Sequence, residues 1–170
     1  MEKKNNIYLI GFMGAGKTTV GRILSSNIGA VLVDMDLEIE KQQGVAISQI
    51  FEEQGEPYFR AIETEMLRDI SQRSGQVVST GGGIVIKDEN WDIMKESGVT
   101  VYLKASIETL FNRVKHKTTR PLLNVDDPYT KAKELFESRR ELYEKSDIIL
   151  DREGLEPEEV AEAIVKEIEA

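Results

Sequence analysis

Gly11-Phe12-Met13-Gly14-Ala15-Gly16-Lys17-Thr18 fits the spacing G-x-x-x-x-G-K-[ST] at every fixed position. It follows the apolar run 7–10 and opens a segment of helical period over 17–27, so it lies where a strand hands over to a helix. Glycines let the backbone wrap closely round a phosphate, and the N–H groups at the helix start point at its oxygens. Lys17 is suited to neutralise charge near the β/γ bridge of a nucleoside triphosphate, and the Thr18 hydroxyl is suited to Mg²⁺. The expected ATP-binding run is therefore Gly14, Ala15, Gly16, Lys17, Thr18 and Thr19. The motif predicts an enzyme that binds Mg-ATP and passes its terminal phosphoryl group to a small molecule.

Outward from the loop, short β-rich runs at 7–10, 31–33, 77–79, 99–103 and 147–150 alternate with segments of helical period at 17–27, 57–72, 107–115, 129–144 and 157–169. That alternation predicts a parallel sheet flanked by helices, an α/β fold. With 170 residues, no repeat and no Pro/Gly/Ser linker, the chain is expected to be one domain over 1–170. The polar stretch 115–127, which holds Arg120-Pro121, breaks the helical pattern and reads as a loop over a site.

A formal charge of −9 works against long-range attraction to nucleic acid or to an anionic membrane, and neither is expected as a partner. No apolar run reaches the length of a membrane span, and the polar start is unlike a secretory signal, so a soluble, cytoplasmic protein is expected. It is expected to be a monomer. With no cysteine, any metal must be held by oxygen ligands. N-K-x-D, the guanine motif, is absent. Asp151-Arg152-Glu153-Gly154 matches D-x-x-G, but it follows the last strand and reads as a turn.

Asp34 and Asp36 stand at the end of the second strand, where alternation would aim both carboxylates the same way at the carboxyl edge of the sheet. One would serve the metal and the other an acceptor hydroxyl. Phe59-Arg60-x-x-Glu63 opens a helix, and Gly81-Gly82-Gly83 follows a strand, inviting close approach of a ligand to backbone. His116, the only histidine, sits in a Lys-His-Lys run and is given no role.

The ordered set Gly11 to Thr18, Asp34-x-Asp36, Phe59-Arg60-x-x-Glu63, Gly81-Gly82-Gly83, Arg120-Pro121-Leu122-Leu123 and Arg139-x-x-Leu142-Tyr143 resembles the shikimate kinase family. The resemblance implies a three-layer α/β/α sandwich of P-loop kinase type, with a five-stranded parallel sheet in the order 2-3-1-4-5. It implies transfer of the γ-phosphoryl group of ATP to the 3-hydroxyl of shikimate. Within it, Lys17, Asp36 and Arg120 would be catalytic, and Thr18 and Asp34 would serve Mg²⁺, Asp34 through water. Asp36, Arg60, Gly82, Gly83 and Arg139 would bind shikimate, the two arginines clamping its carboxylate. Arg113 would stack on adenine, Arg120 would reach the phosphates from a lid at about 115–127, and the substrate-binding region would lie at about 34–63. The third strand lacks the acid that usually supports Mg²⁺ in P-loop ATPases, which leaves Asp34 for that work and agrees with the family. Two rivals remain at this stage: a kinase for another small polyol acid such as gluconate, and a non-catalytic nucleotide-binding regulator.

Overall fold

The computed structural model describes residues 5–116 and 125–170. Five parallel strands, β1 (Asn6–Ile10), β2 (Val31–Asp34), β3 (Gln76–Ser79), β4 (Gly98–Lys104) and β5 (Ile148–Asp151), form one sheet in the order β2-β3-β1-β4-β5. This is the expected order, and helices complete the α/β/α sandwich round it. β1 occupies the centre and is buried at every position, with Tyr8, Leu9 and Ile10 fully enclosed. A strand covered on both faces reads as a continuous apolar run rather than an alternating one, as 7–10 does.

α1 (Lys17–Ile28) packs against α8 (Pro157–Glu169), and α4 (Glu56–Ile70) against α5 (Asp88–Ser97), which also meets β4. α6 (Ile107–Val114) packs on α7 (Pro128–Tyr143). α8 begins with a reciprocal cap between Glu156 and Glu159 and with Pro157 in its first turn, which satisfies donors the helix itself leaves open. The sequence pattern did not pick out α2 (Met35–Gln43), α3 (Ile47–Gln54) or α5. α2 buries only Met35 and Ile39, and α3 only Ile50, so neither carries a long apolar stripe.

The amino ends of the strands are pinned by buried side chains. Asn6 Nδ2 donates to the Arg73 carbonyl at 2.8 Å, the Gln76 N–H donates to Asn6 Oδ1 at 3.2 Å, and the Tyr8 and Ser97 hydroxyls are 2.6 Å apart. At the β4/β5 edge Asp147 Oδ2 accepts from both the N–H and the hydroxyl of Thr100. The carboxyl ends stay open, and in a parallel sheet that edge beside the central strand is where ligands bind. Among the described residues no helix is long and apolar enough to cross a membrane.

Candidate active site

The loop between β1 and α1 owes its shape to Gly14 and Gly16, whose φ values of 85° and 86° lie in the left-handed region. A Cβ on Gly14 would also come within 2.6 Å of the Leu110 carbonyl oxygen. Lys17 Nζ folds back over the loop and donates to the carbonyls of Gly11 at 2.5 Å and Phe12 at 3.3 Å. The ammonium is thus held over the hollow formed by the loop.

Thr18, in the first turn of α1, donates from Oγ1 to Asp34 Oδ2 at 3.0 Å, and its oxygen is also 3.0 Å from Ser79 Oγ. Asp34 Oδ1 accepts from the Leu37 N–H at 3.2 Å, so the same carboxylate caps α2. The two aspartates do converge on one cleft, but not through strand alternation. β2 ends at Asp34, and Asp36 stands in the first turn of α2, which the Asp34 cap starts. Ser79, at the end of β3, was overlooked. Its position in the strand that lacks an acid was the available signal.

On the acceptor side, Arg60 is only 8% exposed and is held along its own helix. Its guanidinium donates to Glu63 Oε1 at 3.0 Å and to Glu56 Oε1 at 3.2 and 3.4 Å, and it lies 5.2 Å from the centre of the Phe59 ring. Positions three and four apart share a helix face, which is why the sequence can place these carboxylates round one arginine. Arg60 presses on Gly83 so closely that a Cβ there would overlap the guanidinium. At Gly81 a Cβ would meet Glu63 Oε2 at 2.9 Å and Asp36 Oδ1 at 3.2 Å, and at Gly82 it would meet a terminal nitrogen of Arg139 at 3.6 Å. The three glycines therefore form a floor on which Asp36, Arg60, Glu63 and Arg139 stand together.

Arg139 is buried on α7 beside Tyr143, whose hydroxyl donates to the Gly82 carbonyl at 2.7 Å. Burial pushes the Tyr143 phenol up to about 12, against the pull of the Arg139 charge, so it remains a donor at neutral pH. Glu63 is buried, and one of its oxygens, Oε2, has no hydrogen-bond partner among the described residues. Burial raises its pKa although Arg60 pulls the other way, and Asp36 adds to the rise. Glu63 and Tyr143 stood inside sequence motifs without an assigned role.

Arg113 donates to the Gly14 carbonyl at 3.3 Å, which places it at the phosphate-binding loop from the α6 side. Arg152, Leu155, Glu156 and Pro157 complete that end of the cleft. Arg152 is a residue the sequence reading passed over as part of a turn. His116 is exposed at the end of the described segment. Arg120 and the motif 120–123 lie outside the described residues.

All these parts line one cleft of about 790 Å³. It brings together Gly14, Gly16, Lys17, Thr18, Thr19, Asp34, Asp36, Arg60, Gly82, Gly83, Arg113 and Arg139. Ala15 is buried beneath it. Among the described residues there is no cluster of three or more acid or histidine side chains to cage a metal. The Thr18 hydroxyl with the Asp34 carboxylate fits Mg²⁺ instead, because that ion keeps several waters and takes one or two protein oxygens beside phosphate.

The chain's sequence and fold have known counterparts. The shikimate kinase family model matches residues 13–169. Shikimate kinase from Thermodesulfovibrio yellowstonii is 51% identical over 164 residues, 96% of this chain and 95% of that protein. A shikimate kinase structure from Acinetobacter baumannii, in complex with shikimate, superposes with a TM-score of 0.94 at 38% identity, covering 98% of this chain and 94% of that one. The Aquifex aeolicus shikimate kinase structure gives 0.85 at 42% identity, with 96% of each chain covered. These relatives support shikimate and not the gluconate alternative. With the phosphate-binding loop and the two buried arginines meeting in one cleft, the chain belongs to the shikimate kinase family and is an ATP-dependent kinase.

Proposed function

We propose that the chain joins the γ-phosphoryl group of Mg-ATP to the 3-hydroxyl of shikimate, giving shikimate 3-phosphate and ADP, as a cytoplasmic monomer working as one domain over 1–170. The observation that carries this reading is the meeting of Arg60 and Arg139 at the triple-glycine floor, in the same cleft as Lys17 and Thr18. A planar guanidinium matches a carboxylate with two parallel hydrogen bonds, and two of them suit a small carboxylic acid.

The acceptor carboxylate is held by Arg60 and Arg139, with the N–H groups of Gly82 and Gly83 at its side. Asp36, next to Gly81, accepts a hydrogen bond from the acceptor hydroxyl and takes its proton as the new O–P bond forms. The bond from the γ-phosphorus to the bridging oxygen breaks, and the electron pair leaves with ADP. Because charge in this transition state is spread over phosphoryl oxygens, positioning and charge neutralisation do most of the work. Lys17 exchanges the carbonyls of Gly11 and Phe12 for phosphate oxygens, and Arg113 lies against adenine. Thr18, and Asp34 through water, would hold Mg²⁺, which when bound would supply positive charge to the phosphates. Arg120 is assigned to the phosphates, as part of a lid at about 115–127, and the substrate-binding region is assigned to about 34–63.

An ADP-release assay with shikimate, gluconate, quinate or no acceptor tests the reading. Turnover with shikimate far above the other three is expected. Equal turnover with gluconate, or ATP binding without turnover on any acceptor, would overturn it. Reducing the shikimate carboxylate to an alcohol should lower kcat/KM in the native protein and matter much less in Arg60→Lys and Arg139→Lys.

A further inference from the structure

Arg152 follows β5 directly, yet it is only 2% exposed. One terminal nitrogen donates to the Ala15 carbonyl at 2.7 Å and the other to the Leu155 carbonyl at 3.1 Å. Its Nε is buried without a hydrogen-bond partner, and among the described residues no carboxylate lies within ion-pair distance of it. A buried guanidinium left in that condition is costly unless something anionic completes it. Its surroundings point the same way. Arg113 holds the neighbouring Gly14 carbonyl at 3.3 Å, so two like charges sit on successive peptides of one loop, and both line the cleft that holds Lys17. Burial, then repulsion from Arg113, lowers the proton affinity of Arg152, with Glu156 and Glu153 pulling the other way.

The hydrogen bond to Ala15 has a geometric consequence. In a trans peptide the C=O and the following N–H point in opposite directions, and among the described residues there is no cis peptide. Fixing the Ala15 oxygen on the Arg152 side therefore turns the Gly16 N–H away from Arg152. A Cβ on Gly16 would come within 2.5 Å of the Arg152 nitrogen, so Gly16 is required both by its left-handed φ and by this contact.

We propose that Arg152 is a positioning residue for the nucleotide: it locks the Ala15–Gly16 peptide with its N–H turned to the polyphosphate, whose negative charge balances the buried Arg152 and the exposed Arg113 beside it. The proposal rests on the reading of this cleft as the ATP site. It makes the β5–α8 connection part of phosphate binding. That connection is itself tied to α6, since Glu153 accepts from the Ser106 N–H at 3.0 Å and from the Thr109 hydroxyl at 2.5 Å.

The test is calorimetric titration of the full chain with ADP and, separately, with shikimate, beside thermal melts. Arg152→Met should weaken ADP binding at least tenfold and leave shikimate binding within twofold. Arg152→Lys keeps a cation but cannot fork between the carbonyls of Ala15 and Leu155, and it should recover only part of the loss. It also serves as the test variant if the methionine form fails to fold, with a several-fold loss for ADP alone expected. Unchanged ADP binding in a folded Arg152→Met, or equal losses for both ligands, would overturn the proposal in favour of a purely structural arginine. If the native chain itself fails to bind ADP, the reading of the cleft fails instead.

Discussion

Lys17 has two sets of partners available, and its function depends on the second. Donating to the carbonyls of Gly11 and Phe12 keeps the ammonium over the loop, and phosphate oxygens replace those carbonyls. Removing a donor aimed at developing charge costs roughly 10²- to 10³-fold in turnover. Lys17→Met should therefore lower kcat by at least that factor while the thermal melt stays close to native; ADP release and circular dichroism together check it. Gly83 makes a different case, because its importance comes from a neighbour. A side chain there overlaps the Arg60 guanidinium, which Glu56, Glu63 and Phe59 already hold. Overpacking of this kind costs about 1–3 kcal/mol. Gly83→Ala should raise KM for shikimate by roughly tenfold or more and leave KM for ATP nearly unchanged. Equal changes in both constants would mean that Gly83 does not act through Arg60.

At the scale of elements, the junction of β2 with α2 does two jobs with one carboxylate. Asp34 caps the helix that carries Asp36 and holds the Thr18 hydroxyl. An outer-shell group of this kind changes metal affinity by roughly 10- to 100-fold. Asp34→Asn should raise the Mg²⁺ concentration for half-maximal activity by that factor, since the amide still reaches Thr18 and Leu37 but carries no charge. Asp36→Asn, in contrast, should act mainly on shikimate and turnover. A Mg²⁺ titration of both variants separates them. Most of these elements could be read in advance. The apolar run of β1 and the glycines with Lys17 mark strand, loop and helix through local chemistry, and the Phe59-Arg60-x-x-Glu63 spacing puts a cation and an acid on one helix face. α2 could not be read this way, because it buries only Met35 and Ile39, and α3, though Ile47, Ile50 and Phe51 share a face, is only eight residues long, too short for a period to stand out.

For the whole molecule, pH acts through the way α7 is packed on the sheet. Tyr143 on α7 stacks on Tyr102 of β4 with ring centres 5.2 Å apart, and burial drives both phenols from 10.0 up to about 12. The folded state then holds protons that the unfolded chain loses first, so stability is complete below pH 10 and declines as pH rises through about 12. Tyr143, the more deeply buried of the two, accounts for up to about 3 kcal/mol of that decline. Melting temperatures measured from pH 8 to 11.5 should fall more steeply in the native protein than in Tyr143→Phe. The variant starts lower, having lost the bond to the Gly82 carbonyl. Parallel curves would mean that Tyr143 does not contribute.

The phosphate-binding loop, its strand and helix, and the family to which they belong follow from residues near one another in the chain, because glycine conformation, helix period and strand burial act over a few positions. The partners of the arginines required the folded chain. Arg60 meets Gly83, Arg139 meets Gly82, Ser79 meets Thr18 and Arg152 meets Ala15 across separations that no local pattern records. Strand order brings these pairs together: β1 lies between β3 and β4, β5 lies beside β4, and their carboxyl ends open on the same side. Arg152 is the sharpest instance, since in the sequence it is one charged residue in a turn, and its function arises only where β5 delivers it beneath a loop 137 positions away.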